Sequence, residues 1–365
     1  AAHARSDQLY PLQTPSVPTL PRPRPPPHKS PKGIIDTMNA PSLSAPSGPV
    51  APRVVSLLPS ATEILSAIGT GGLLVGRSHE CDFPPDIAPI PALTAPRVSP
   101  SPRLHAPIDP SRDPRAIDAS VRDSLKSGES LYTVDEPLLR SLRPDLILTQ
   151  DVCAVCSIDL SAVNRLARTL PGPPRVLTLN PSTIEDVLDD LLRVGDALGP
   201  AWAQSADRAM VALRERLFRA EEFVNPYEDG PVVAFLEWTD PLFCAGHWTV
   251  QLIERAGGRH PWNPTIAKPD AGAALGPQRG SRVAPPSQTI SVAELSAAAP
   301  SHLIIAPCGF SLDQCLSCAR HLATQPWWHD LPAVRQGRVD VVDGNQMFNR
   351  PGPRLVDAFE FLVGW

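Results

Sequence analysis

The sequence has no excess of basic charge: 33 Lys and Arg stand against 38 Asp and Glu in 365 residues, a formal net charge of −5. Such a balance argues against nonspecific nucleic-acid binding, which needs a basic face to neutralise phosphates. No apolar run approaches the ~18 residues that a membrane-spanning helix needs, and no membrane span is expected. The first residues lack the apolar core of a secretory signal, although their few acids and several Arg and Ser also suit a worn transit peptide. The seven cysteines, at 81, 153, 156, 244, 308, 315 and 318, are odd in number and do not suit a disulfide framework in a chain of this size. These absences favour a reducing, intracellular compartment, cytoplasm or organelle, over the periplasm.

Proline is what the chain has in plenty. It accounts for 46 residues, 13 of them within residues 1–52, where Pro21-Arg22-Pro23-Arg24-Pro25-Pro26-Pro27 forms the densest run. A segment of that composition favours extended polyproline conformations and buries too little surface to offset its ordering entropy. Residues 1–52 are therefore expected to be disordered. Met38 is the expected translation start, with residues 1–37 adding nothing to the fold.

Beyond residue 53 the pattern is that of alternating strands and helices. Val54-Val55-Ser56-Leu57-Leu58 reads as a buried strand. Ser60-Ala61-Thr62-Glu63 then carries capping-box spacing, and Gly69 closes the helix that follows. Leu73 to Gly76 and Asp145 to Thr149 are two further strands. Ser182-Thr183-Ile184-Glu185 is a second capping box, and apolar residues recur at helical spacing from there to Phe218. A kink or short break is expected at Gly199-Pro200. This stretch, 182–224, reads as a spacer between two lobes. Val232 to Leu236, His302 to Ala306 and Val339 to Asp343 restore the strand rhythm, with 267–289 read as an inserted surface loop. The alternation implies parallel sheets built from βαβ units.

In such sheets ligands bind outside the carboxyl ends of the strands. Each distinctive motif falls at one of these ends: His79-Glu80-Cys81, Asp151 to Cys156, Glu237-Trp238 with His247-Trp248, Cys308, and Asn345 to Arg350.

These residues also carry a resemblance. Val54-Val55-Ser56-Leu57-Leu58-Pro59-Ser60-Ala61-Thr62-Glu63-Ile64-Leu65, Asp145 to Gln150 and Phe348-Asn349-Arg350-Pro351-Gly352-Pro353-Arg354 are similar to the class III periplasmic-binding-protein family, which includes cobalamin-binding and ferric-siderophore-binding proteins of ABC importers. The His-Glu-Cys and Cys-x-x-Cys motifs resemble a cobalamin-binding-like branch that often lacks a secretory signal. The resemblance implies two α/β lobes, 53–181 and 225–365, with parallel central sheets, joined by one long backbone helix within 182–224 and closing weakly on a ligand cleft. The ligand-binding set expected there is Pro59, Ser60, His79, Glu80, Tyr132, Gln150, Asp151, Glu237, Trp238, His247, Trp248, Asn345, Phe348 and Arg350. The implied ligand is cobalamin or a related corrinoid or metal chelate, the implied partner an ABC transporter, and a monomer is expected.

Several residues keep two readings. Cys153 and Cys156 have the spacing of two zinc or iron ligands from one turn, with Cys81 and His79 completing four; they also suit a dithiol redox pair, or small buried core residues. An intracellular metal-binding or thiol-redox protein is thus the alternative function. Cys315–Cys318 sits inside a helix and reads as packing, as does Cys244. Trp238, Trp248 and Phe348 suit either stacking on a flat chelate or core packing. His247 is a candidate axial ligand to cobalt, or a structural histidine. Arg350 suits pairing with ligand carboxylates, and Arg354 a structural ion pair. No nucleophile–base–orienter set is present, so binding rather than catalysis is expected.

Overall fold

The structure, a computed structural model, describes residues 51–96, 114–127, 131–151, 160–225, 230–268 and 282–365. The segment expected to be disordered lies outside them up to residue 50, as do Cys153, Cys156 and the middle of the 267–289 loop. In the first half, β1 (Val54–Ser56), α1 (Pro59–Ala67) and β2 (Leu74–Arg77) are followed by β3 (Thr94–Pro96), α2 (Pro114–Ser127) and β4 (Tyr132–Val134). Then come α3 (Glu136–Leu142), β5 (Leu146–Thr149), α4 (Leu160–Thr169) and β6 (Arg175–Thr178). The apolar runs pair as an all-parallel sheet in the order β2-β1-β5-β6, while β3 and β4 pair antiparallel with α2 inserted between them. Val54, Val55 and Ile147 are fully buried because helices cover both faces of the sheet.

The expected capping box at Ser60 is not what starts α1. The cap position is Leu58, without a side-chain bond, and Pro59 occupies the first helical turn, where its missing N–H costs nothing. Glu63 instead turns inward to two arginines near the C-terminus. The second box is real but shifted by one residue: Thr183 caps, and Asp186 returns the bond.

Residues 182–224 are not one kinked rod. They form α5 (Ile184–Leu198) and α6 (Pro200–Glu221), and the chain reverses at Gly199, whose φ of 111° is open to glycine. The two helices lie side by side so closely that a Cβ on Gly195 would stand 2.5 Å from the Cβ of Ala206. The 22-residue α6 is the long helix that connects the lobes: Ser205 Oγ donates to Ile68 O at 2.9 Å in the first lobe, and Arg216 pairs with Asp357 at 2.6 Å in the second.

The second half runs β7 (Val233–Thr239), β8 (Leu242–Cys244), α7 (His247–Arg255), β9 (Ile266–Ala267), β10 (Arg282–Val283), β11 (Gln288–Thr289), α8 (Val292–Ala298) and β12 (His302–Ile305). It ends with α9 (Leu312–Leu322), α10 (Pro332–Arg335), β13 (Val339–Val341) and α11 (Leu355–Gly364). The sheet order is β11-β8-β7-β12-β13, parallel through β7, β12 and β13 and antiparallel at the β8 side. The ends of the expected surface loop are therefore strands: β9 pairs with β10, and β11 edges the sheet. One apolar core runs through both halves, joining Val54 and Leu148 to Ile184, Leu191, Phe235 and Phe359. No helix among the described residues is long and apolar enough to cross a membrane.

Candidate functional site

The carboxyl ends of both sheets open onto one cavity of about 400 Å3. Pro59 and Ser60 after β1, Glu80 after β2 and Gln150 after β5 line it from one side. Glu237 and Trp238 near the end of β7, Cys308 to Phe310 after β12, and Gly344 and Asn345 after β13 line it from the other. Gly344 permits this arrangement, because a Cβ there would stand 1.8 Å from Pro307 O. Ile117, Asp118 and Val121 of α2 contribute a further wall. That helix belongs to the first half of the chain yet reaches the second: Arg115 is ion-paired to Asp240, and Ile117 packs on the Phe310 cluster that Trp238 borders.

The fold recurs in solved structures. The periplasmic vitamin B12 binding protein BtuF of Vibrio cholerae superposes with a TM-score of 0.57 at 17% identity, covering 86% of this chain and 96% of its own. A periplasmic heme binding protein from Pseudomonas aeruginosa gives 0.59 at 21%, covering 86% and 92%. An ABC-type Fe3+-hydroxamate transport system protein from Saccharomonospora viridis gives 0.55 at 16%, covering 86% and 92%. The fold is that of the two-lobe periplasmic binding proteins. No protein-family model matches the sequence, and no curated protein matches it.

Nine of the residues expected to bind a ligand border the cavity: Pro59, Ser60, Glu80, Tyr132, Gln150, Glu237, Trp238, Asn345 and Arg350. Trp238 lines the cavity, donates Nε1–H to Asp240 O at 3.1 Å and meets Phe310 in an edge-type contact with ring centres 5.0 Å apart. Glu237 accepts hydrogen bonds from Ser287 Oγ and from Gly246 N. Burial pushes the Glu80 carboxyl up, with Asp82 adding to the shift and Arg350 opposing it.

Arg350 is a cavity residue of a different kind from the one expected. It pairs with Asp82, lies 3.5 Å from Glu63 and donates to Glu80 O at 3.1 Å, so its charge is already matched by protein carboxylates. Arg354 makes a structural pair with Glu63 at 2.5 Å and lies 4.2 Å from the centre of the Phe83 ring. These contacts bind the loop after β13 to α1 and to the turn after β2, and so pin one lobe to the other along one edge of the cavity.

The other expected residues do not border the cavity. Phe348 is buried between Phe235 and Phe361, and Trp248 donates to its carbonyl at 2.6 Å, so both rings belong to the core. His247, at φ 47°, opens α7 with its ring stacked on Trp248, and burial lowers its pKa. Asp151 N is bound to Asn180 Oδ1 and its side chain lies outside the lining. The His79 ring is held by Thr94 Oγ1 at 2.6 Å, and burial, with Arg77 nearby, lowers its pKa to about 4.

Of the expected metal set, Cys81 and His79 lie within the described residues. Cys81 is 3% exposed, accepts a hydrogen bond from Thr62 Oγ1 at 3.1 Å, and has its thiol pushed up by burial to about 11. Cys153 and Cys156 lie outside the described residues, and among those described no group of three His, Cys, Asp or Glu is placed to hold a metal. Cys315, Cys318 and Cys244 are buried packing residues.

Phe243, Ser287, Phe310 and the α2 residues are among the parts of the lining that escape a sequence reading. The pair Ile117 and Val121, four apart and so on one helix face, is the signal that α2 offered. Ser287 offers none.

Proposed function

We propose that this chain is a solute-binding protein that holds a metal chelate of the corrinoid type, cobalamin or cobinamide, between its lobes and delivers it to an ABC-type transporter. One observation carries the reading: both sheets direct their carboxyl ends at a single, largely apolar cavity with an indole on its wall. Its volume of about 400 Å3 falls in the range of small-molecule sites. A cavity of that volume would take the edge of a macrocycle and leave the rest of a corrinoid at the mouth. The neighbours of this fold are described as binding vitamin B12 or heme, or as part of Fe3+-hydroxamate transport, which supports a chelate as the class of ligand.

The test is titration with cobalamin, cobinamide, hemin and a ferric hydroxamate, followed by calorimetry and by tryptophan emission. Saturable corrinoid binding at micromolar concentration or tighter is expected, with quenching that shrinks in Trp238→Phe. Absence of binding heat across the whole panel would refute the proposal.

A further inference from the structure

The wall that α2 contributes is built unlike the others. Helix α1 sinks Ile64 and Leu65 wholly into the core, whereas no described side chain of α2 is buried. A polar helix of 14 residues gains little from propensity alone and is ordinarily held by burying an apolar face. The apolar pair on α2, Ile117 and Val121, stands four residues apart on one face, and that face is half-buried on the cavity. Ile117 also packs on the Phe310 cluster that Trp238 borders, while Val121 lines the cavity without joining that cluster. Arg115 pairs with Asp240 at the surface, a contact of a kind worth little by itself. The chain leaves for α2 and returns from it at the cavity wall, for Pro96 of β3 and Tyr132 of β4 pair with each other and both line the cavity. Aliphatic surface turned toward a cavity yields free energy only when something apolar covers it.

Resting on the corrinoid-type reading above, we propose that Ile117 and Val121 are specificity-determining residues: with Trp238 they form an apolar corner, drawn from both halves of the chain, that takes the hydrocarbon edge of the chelate. A polar group brought to that corner loses its water and finds no hydrogen-bond partner on either aliphatic side chain. The corner therefore favours a ligand whose edge carries methyl or methylene groups, and α2 is part of the binding machinery rather than an ornament on the first lobe.

The experiment holds the ligand constant and varies the corner. Cobinamide is titrated by calorimetry into the full chain and into variants of α2, with a melting curve for each. Val121→Thr keeps the shape and adds a hydroxyl, so it alters the chemistry of the corner and not its volume. It should weaken binding at least ~3-fold with no change in melting temperature, because one methylene-sized group covered by a ligand is worth about fourfold. Ile117→Ala/Val121→Ala, which removes several such groups, should weaken it at least ~10-fold. Ala119→Ser, on the exposed side of the same helix, should bind as the parent does. Deuterium exchange of the amides in 114–123 should slow when cobinamide saturates the parent. Parent-like affinity in both Val121→Thr and the double variant would overturn the inference while leaving chelate binding intact, and so would equal weakening by Ala119→Ser. Failure of the parent to bind cobinamide would remove both.

Discussion

Glu63 offers the sharpest test of how the lobes are held together. Its carboxylate is 2% exposed and serves two guanidiniums: Arg354 at 2.5 and 3.0 Å, and Arg350 at 3.5 Å. Glu63→Gln keeps the shape, removes the charge, and turns an N–H2 toward cations that need an acceptor. Removing one partner of a buried ion pair costs about 3–5 kcal/mol, mostly because the remaining charge is stranded. Here the stranding is incomplete. Arg350 keeps Asp82 and Glu80 O, and Arg354 keeps Gln346 Oε1 at 3.1 Å and the Phe83 face. A loss of about 2–4 kcal/mol is therefore expected, equivalent to a melting-temperature drop of roughly 4–12 °C. Urea titration and calorimetry would measure it. The double variant Glu63→Gln/Arg354→Met should recover part of the loss, because it removes the second stranded group as well. A loss below about 0.5 kcal/mol would refute the account, since the arginines would then be solvated or satisfied elsewhere.

Asp190 should make stability rise as pH falls through about 6, because burial lifts its carboxyl from 3.8 to about 6 despite the Arg193 bond. The folded state carries the buried anion at a cost above that value and is relieved of it below, so Asp190→Asn should be more stable than the parent at pH 7.5 by about 1–3 kcal/mol, with the gap closing by pH 4; a gap that does not change with pH would contradict this. Cys308, the exposed cysteine among those described, lines the cavity, whereas burial pushes the thiols of Cys81 and Cys244 up to about 11 and that of Cys315 to about 12. A maleimide adduct mapped by mass spectrometry should form at Cys308 before the other described cysteines, more slowly when the chelate is bound; an unchanged rate at saturation would place the ligand elsewhere.

The strand ends were legible because a parallel strand buried on both faces is an apolar run, and the residue where the run stops is where the sheet opens. Glu80, Gln150, Glu237 and Asn345 could be found that way. The direction of a side chain could not. Trp248 and Phe348 sit in the same short motifs as cavity residues, yet their rings complete the core that joins the lobes. Glu63 misled for a related reason: its spacing from Ser60 fits a helix cap, but the arginine that claims it lies 291 residues away. Two cap signals competed at the start of α1, and Pro59 prevailed at its first turn. The α2 wall was hidden by the proline-rich sequence around it, and its role depends on contact with Phe310, nearly 200 positions further on.

The α5–α6 pair has a mechanical consequence. At one end, Glu185 and Glu221 both grip Arg255 of α7, and Ile184 N is held by Gln251; at the other, Ser205 is tied to α1's last turn and Arg193 to Thr178 after crossing the first lobe. Two helices fused along their length by glycine and alanine bend far less easily than one, so they act as a stiff beam bolted to both lobes. Such a frame holds the mouth at a nearly constant gape. On the solute-binding reading proposed above, ligands would be sorted by whether they fit an aperture that already exists, and uptake would be a matter of orientation on arrival rather than of a jaw closing afterwards.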